Sequence, residues 1–174
     1  AYEMSASLVG SGDVYKRQNL EDGAILCQED LLEASIEMAA AAAELFIGQG
    51  IRTSLETNGP DLLTKEAVCL KASCGAGHLD SILRGLARID LEKPAPSFEP
   101  IRERLEEMED RESLCTIFFS ADARPEFQQL LEKFRKEKRE FIWFCPVNRI
   151  IRPEINAGIR PYTRLIDVEE GGRL

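Results

Sequence analysis

The chain has 174 residues, 44% hydrophobic and 30% charged, the balance of one folded domain rather than of a disordered segment. Its 31 acidic and 22 basic side chains leave a net charge of −9, which argues against a general nucleic-acid binder and against attachment to anionic lipid. Five cysteines, an odd number in no regular framework, read as reduced thiols of a cytoplasmic protein, and no apolar run approaches the roughly 20 residues that span a bilayer.

Residues 1–18 show neither helical nor strand periodicity. The string from Ser7 to Gln18 resembles a translated sequencing adaptor of the kind left on metagenomic reads. On that reading 1–18 is a non-native segment, and 19–174 is a single, N-terminally truncated domain with 148–174 as a C-terminal extension. The first strand would then survive only around Gln18–Glu21, or be replaced by residues such as Val14 and Tyr15, leaving the fragment unstable.

Asp30-Leu-Leu-Glu33 has the form of a capping box. It precedes an apolar series at Leu32, Ile36, Ala39, Ala40, Ala43, Phe46 and Ile47 with helical spacing, closed by Gly48 and Gly50. Ile51–Thr57 reads as a strand stopped by Asn58-Gly59-Pro60, and Glu66–Lys71 as a second; the two form a hairpin or an edge pair. After the loop Cys74-Gly-Ala-Gly77, His78 opens a helix whose apolar stripe is Leu79, Ile82, Leu83, Leu86 and Ile89. The Pro-rich stretch Glu92–Ser97 leads to a short acidic helix carrying Ile101, Leu105 and Met108. Leu114–Ser120 and Phe141–Cys145 are continuous apolar runs, as strands buried on both faces of a parallel sheet are. Between them Pro125 starts a helix with Phe127, Leu130, Leu131 and Phe134 inward. Tyr162–Val168 closes the series as a partly exposed strand.

This alternation predicts an α/β fold, a three-layer, doubly wound and mostly parallel sheet. Ligands of such sheets sit beyond the carboxyl ends of the strands, a rim expected here from Asn19–Asp22, Gly75–His78 and Ser120–Asp122.

The ordered pieces Asn19-Leu-Glu21, Asp30–Ile36, Gly48–Ile51 into Thr57-Asn-Gly59, and Gly75–Leu79 into Gly85–Leu91 resemble the bacterial domain-of-unknown-function family numbered fifty-eight. The C-terminal part of that family is similar to a von Willebrand factor A domain, and the resemblance covers about residues 19–147. It implies a protein-interaction module associated with MoxR-type AAA+ ATPases. It also implies a membrane-anchored parent that holds this domain in the cytoplasm.

Von Willebrand A domains often bind Mg²⁺ through Asp-x-Ser-x-Ser after the first strand, a Thr in a second loop and an Asp in a third. Here the first loop offers Asn19, Leu20, Glu21 and Asp22, the second Gly75, Ala76, Gly77 and His78, and the third Ser120 and Asp122. A degenerate site would use Glu21, Asp22 and Asp122 with Mg²⁺, and no other cofactor is implied. The plainer expectation is that Asp22 is a loop residue and that Asp122 caps the helix at Pro125. Gly75, Gly77, His78 and Ser120 are the remaining candidates for an interaction rim. His78 reads either as a hydrogen-bonding group for an anion or as a polar helix-start residue touching a neighbouring loop. Cys69, Cys74 and His78 have a loose ligand-like spacing without a fourth ligand, so zinc is not expected. The Glu99–Glu112 run reads as a solvated helix face. Arg135, Lys136, Lys138 and Arg139 sit where cations offset a helix dipole. No complete catalytic motif is present, so the chain is expected to be non-catalytic. A metal-assisted hydrolase and a small-molecule sensor on the same scaffold are the alternatives.

Overall fold

The computed structural model describes residues 3–8, 28–91, 102–104 and 114–168; for 3–8, 28, 29 and 114 only the backbone is considered. The elements in chain order are β1 (Glu3–Leu8), α1 (Gln28–Gly48), β2 (Arg52–Pro60), β3 (Ala67–Ser73), α2 (Ala76–Ala87), β4 (Leu114–Phe119), α3 (Pro125–Lys136), β5 (Glu140–Val147), a single 3₁₀ turn (Arg160–Tyr162) and β6 (Thr163–Asp167). The six strands form one sheet in the order β3-β2-β1-β4-β5-β6. Only β3, at one edge, runs antiparallel to its neighbour. The α/β expectation holds.

The first strand lies where the sequence reading did not place it. Glu3–Leu8, not Gln18–Glu21 and not a stretch around Val14 and Tyr15, occupies the central slot. It pairs in parallel with β2 from Glu3↔Arg52 to Leu8↔Thr57 and with β4 from Glu3↔Leu114 to Ser7↔Phe118. The sheet therefore has a central strand, a correction to the expectation that it lacks one. Ladder hydrogen bonds need only backbone, so a strand of small and polar residues can fill the slot.

Each face of the sheet carries its own core. On one side Ala39, Ala43 and Ile47 of α1 and Ile82 and Leu86 of α2 pack on Leu55, Val68, Ile117 and Phe119. On the other, Phe127, Leu130, Leu131 and Phe134 of α3 pack on Phe118, Phe141, Trp143, Cys145 and Val147. Phe127 meets Phe118 and Trp143 edge-on at 5.6 and 5.2 Å, and Phe119 stacks on Phe144 at 5.5 Å. Such pairs add about 0.5–1.5 kcal/mol each beyond their buried area. Adjacent residues of β4 feed opposite cores, which is why Thr116–Phe119 are all buried and read as an unbroken apolar run.

Several boundaries differ from expectation, each for a local reason. α1 starts at Gln28, so Asp30 lies within its first turn rather than capping it. Its most buried stripe is Leu31, Ser35, Ala39, Ala43 and Ile47; the last three belong to the expected series, and only Leu31 and Ser35 replace Leu32 and Ile36 in the first turns. The buried Ser35 hydroxyl donates to Leu31 O at 2.9 Å. The helix closes with a left-handed Gly50 (φ 75°), as Gly50 N–H donates to Ile47 O and Ile51 N–H to Phe46 O. β2 does not stop at Thr57. Asn58, Gly59 and Pro60 continue it through an irregularity in which five residues of β2, Glu56 to Pro60, span three of β3, Cys69 to Ala67. The segment 148–162 is no loose extension: Ile155 and Ile159 join the α3-side core and β6 completes the sheet. Gln128 holds that crossover, donating to Ala123 O and Glu154 O and accepting from Asn156 N–H. The acidic helix expected after Ser97 is described only at Arg102–Arg104, where Arg104 Nε lies 2.8 Å from Glu56 on β2.

α2 approaches β3 closely at Gly85, where a Cβ would sit 2.8 Å from Val68 Cγ1. Alanine in a helix interior ordinarily gains about 1 kcal/mol over glycine. Here the stiff β-branched Val68 cannot yield, so Gly85→Ala is expected to destabilise the fold by about 1–3 kcal/mol. The paired change Val68→Ala should recover part of that loss in a urea melt. A more stable Gly85→Ala protein would contradict this packing.

Candidate functional site

The direction of β3 decides which candidate residues meet. Pro60↔Ala67 and Thr53↔Ser73 set the end of β3 beside the start of β2. The loop Gly75–His78 that follows therefore lies at the amino edge of the parallel strands. Ser120–Asp122 follows β4 and lies at the carboxyl edge. The single rim expected from both loops is thus corrected: Gly75, Gly77 and His78 stand at one end of the sheet and Ser120 and Asp122 at the other. Asn19–Asp22, including the metal candidates Glu21 and Asp22, lie outside the described residues.

At the amino edge Gly75 (φ 92°) is the N-cap of α2 and uses a conformation that favours glycine. Half-buried His78 donates from Nε2 to Thr53 O at 2.7 Å. His78 thus ties the first turn of α2 to the start of β2, the helix-start contact that was the plainer expectation for it.

At the carboxyl edge two buried aspartates are each held by an arginine. Asp122 accepts from Arg124 N–H (2.9 Å) and Arg124 Nε (3.1 Å) on Oδ1, and from Arg124 Nη2 (3.0 Å) on Oδ2. Its side chain is 3% exposed while that of Arg124 is 43% exposed. Asp122 thus closes the turn ahead of α3, whose N-cap is Arg124, so it is not the cap itself. The Ser120 hydroxyl accepts from Asp122 N–H at 3.0 Å, and Ser120 O accepts from the buried Trp143 indole at 2.9 Å. Ser120 and Asp122 are therefore built into the β4–α3 turn.

Asp61, beyond β2, mirrors this arrangement and carried no signal in the sequence reading. Its Oδ1 accepts from Leu63 N–H (2.7 Å) and Thr64 N–H (3.1 Å), and Arg88 Nε lies 2.9 Å from Oδ2. Backbone ties from Leu62 N–H to Arg88 O and from Asp90 N–H to Pro60 O bind this turn to the end of α2. A Cβ on Gly59 would meet Ile89 Cγ2 at 2.6 Å, so glycine is required there for the close approach. The register sets Thr57 level with Leu8, and Leu8 lies one residue beyond the Ser7↔Phe118 pair. The Asp61 and Asp122 turns thus follow the two strands that pair with β1, one on each side.

One pattern lies inside β1: Glu3-Met4-Ser5-Ala6-Ser7 has an acid and two serines at adhesion-site spacing, with Glu for Asp. The sequence reading sought this pattern after residue 18. The register pairs Glu3 with Leu114 at the amino edge, so only the Ser7 end of the pattern approaches Ser120. Among the described residues, no three His, Cys, Asp or Glu side chains gather as metal-ligand groups do.

Among the described residues, Cys69, Cys115 and Cys145 lie in strands and Cys74 in a loop. Burial first, then the Asp122 charge, pushes the Cys145 thiol up to about 12, so it is a packed hydrophobe and no nucleophile near neutral pH. Burial also pushes the Cys115 thiol up. Cys69 is raised by burial and by neighbouring Glu56, while Cys74 is exposed in the loop before α2. In the basic cluster Arg135 pairs with Glu132 at 3.1 Å and Arg139 lies 3.8 Å over the Phe134 ring.

No protein-family model matches the chain, and no curated protein matches it. No helix among the described residues is long and apolar enough to cross a membrane.

The Leu63 N–H bond, followed by Thr64 N–H and Arg88, holds the Asp61 carboxyl below its ordinary value of 3.8. A carboxyl lowered on folding contributes stability that is present above the unfolded value and lost as pH falls through the folded one. The chain should therefore lose stability progressively below about pH 4. Asp61→Asn should flatten that part of the profile when urea midpoints are compared from about pH 5 to about pH 2. An unchanged profile in Asp61→Asn would contradict this role.

Proposed function

We propose that the chain is a non-catalytic protein-interaction module of the von Willebrand factor A type, working with a MoxR-type AAA+ ATPase at the membrane. What supports the reading is the sheet: the order β3-β2-β1-β4-β5-β6, antiparallel only at β3, with helices packed on both faces. That order fits a doubly wound sheet with its switch point at β1, so the carboxyl ends of β1, β2 and β4 form the binding rim.

What supports a degenerate or absent metal site is how the described acids of the rim are already engaged. A hard divalent cation needs carboxylate oxygens open to it. The oxygens of Asp122 already accept from Arg124, and those of Asp61 from two backbone N–H groups and Arg88. Recognition would then rest on shape and on fixed side chains rather than on a bridging ion. A non-catalytic role agrees with the placement of the candidate groups: His78 at the opposite edge from Asp122, Ser120 buried in a turn, and Cys145 held as a thiol.

Two measurements test this. The purified chain should bind a purified MoxR-type ATPase in a pull-down. Calorimetry with Mg²⁺ and Mn²⁺ should give no micromolar binding, and such binding abolished by Asp122→Ala would overturn the degenerate-site reading. Turnover of generic phosphate esters would favour the metal-assisted hydrolase instead.

A further inference from the structure

The two outer edges of the sheet differ in order. β3, at one edge, meets β2 through two register shifts. β6, at the other, pairs with β5 without irregularity from Trp143↔Thr163 to Val147↔Asp167. Among the described residues no strand lies beyond β6. Irregular edges resist pairing with other chains, and regular ones invite it.

One hydrogen bond fixes the direction of the β6 backbone groups. In a parallel pair both backbone groups of every second residue point to the neighbouring strand, and those of the residues between point away. Val168 N–H donates to Val147 O at 2.8 Å, so Arg164, Ile166 and Val168 face β5. Thr163, Leu165 and Asp167 face outward. Thr163 is already engaged: its N–H donates to Arg160 O, and Arg164 Nη1 donates to Thr163 O at 3.0 Å. The outward backbone groups of Leu165 and Asp167 meet no partner among the described residues. Both residues lie open to solvent, Leu165 with 43% of its surface exposed.

Two such residues, one on each side of Ile166, make a self-complementary edge. Turned about a twofold axis through Ile166, a second β6 runs antiparallel to the first. Leu165 of each copy then exchanges both hydrogen bonds with Asp167 of the other, and all the open outward groups of both strands are satisfied. Other centres serve less well. An axis through Leu165 sets Asp167 against the engaged Thr163, and an axis through Arg164 sets two like charges opposite each other. About Ile166, the half-buried isoleucines of the two copies meet at a close, non-hydrogen-bonded position. Asp167 carries an ion pair from Arg152, which limits the repulsion between its two copies in a chain of net charge −9.

We infer that this chain forms a twofold dimer through β6, the two sheets joined edge to edge in antiparallel register about Ile166. The occupant of the edge is a second copy, because the open groups of Leu165 and Asp167 are matched by the same two residues of another β6. The inference is independent of the interaction-module reading.

Sedimentation velocity of the whole chain over a wide range of concentration tests it. The wild type should pass from the 19.5 kDa monomer to twice that mass as concentration rises. Leu165→Pro removes an outward N–H from an edge strand, where proline is tolerated; it should stay monomeric and keep its melt. Ile166→Lys sets like charges opposite each other and should stay monomeric too, so the test survives the misfolding of either variant. Leu45→Ser, at an exposed position of α1, should dimerise like the wild type. Oxidation then reads the register. In a Cys27→Ser/Cys69→Ser/Cys74→Ser chain, Ile166→Cys should give a disulfide-linked dimer on a non-reducing gel, because directly opposed residues lie within disulfide reach. Leu165→Cys should not, because its two copies sit on a diagonal about 7–8 Å apart. A wild type that stays monomeric at every concentration would overturn the dimer. Dimerisation retained by a folded Leu165→Pro or Ile166→Lys chain would overturn the β6 interface. Cross-linking at position 165 without cross-linking at 166 would overturn the register.

Discussion

Everything on both faces of this sheet depends on one backbone slot. β1 is hydrogen-bonded to β2 on one side and β4 on the other. Without it, β3-β2 and β4-β5-β6 are two small sheets, each with a bare inner edge. Exposed inner edges of this kind pair with other chains and aggregate. The slot also joins the two halves of the core beneath α1. Leu55 on β2 and Ile117 on β4 pack in one cluster although β1 lies between their strands. β1 thus holds the two halves together through its backbone ladders on both sides.

The same slot organises the carboxyl rim. The Asp61 turn closes β2 and the Asp122 turn closes β4, on either side of the end of β1. In both, a buried carboxylate satisfies nearby backbone N–H groups and holds an arginine whose outer part reaches solvent. Burying a carboxylate alone is costly; with backbone donors and a guanidinium it becomes a fixed element of the turn. Such a rim is stiff and already neutralised.

Much of the outer architecture was legible because burial leaves a mark on composition. Thr116–Phe119 and the alternate residues Phe141, Trp143 and Cys145 serve packed cores, and the inward series of α3 at Phe127, Leu130, Leu131 and Phe134 was read residue for residue. Three features were not legible, each for a different reason. β1 was passed over because it was grouped with the adaptor-like string, although Met4, Ala6 and Leu8 alternate with Glu3, Ser5 and Ser7. The first turns of α1 bury Leu31 and Ser35 rather than Leu32 and Ile36, since a serine whose hydroxyl returns to Leu31 O leaves no apolar mark. Asn58-Gly59-Pro60 reads as a stop, yet a bulge and the close approach of Ile89 carry the strand through it. The split of the expected rim was available in principle. A hairpin between β2 and β3 makes β3 antiparallel, which delivers Gly75–His78 to the amino edge.

Proline at the middle of β1 tests the central claim most directly, because it removes a ladder donor and is not tolerated in a central strand. The measurement is the thermal melt of Ala6→Pro beside the unaltered chain, followed by circular dichroism. If Glu3–Leu8 is the strand that joins the two halves of the sheet, Ala6→Pro loses its cooperative transition or melts far lower. A cooperative melt at the midpoint of the unaltered chain would contradict the account, because Glu3–Leu8 could then not be the strand that holds the sheet together.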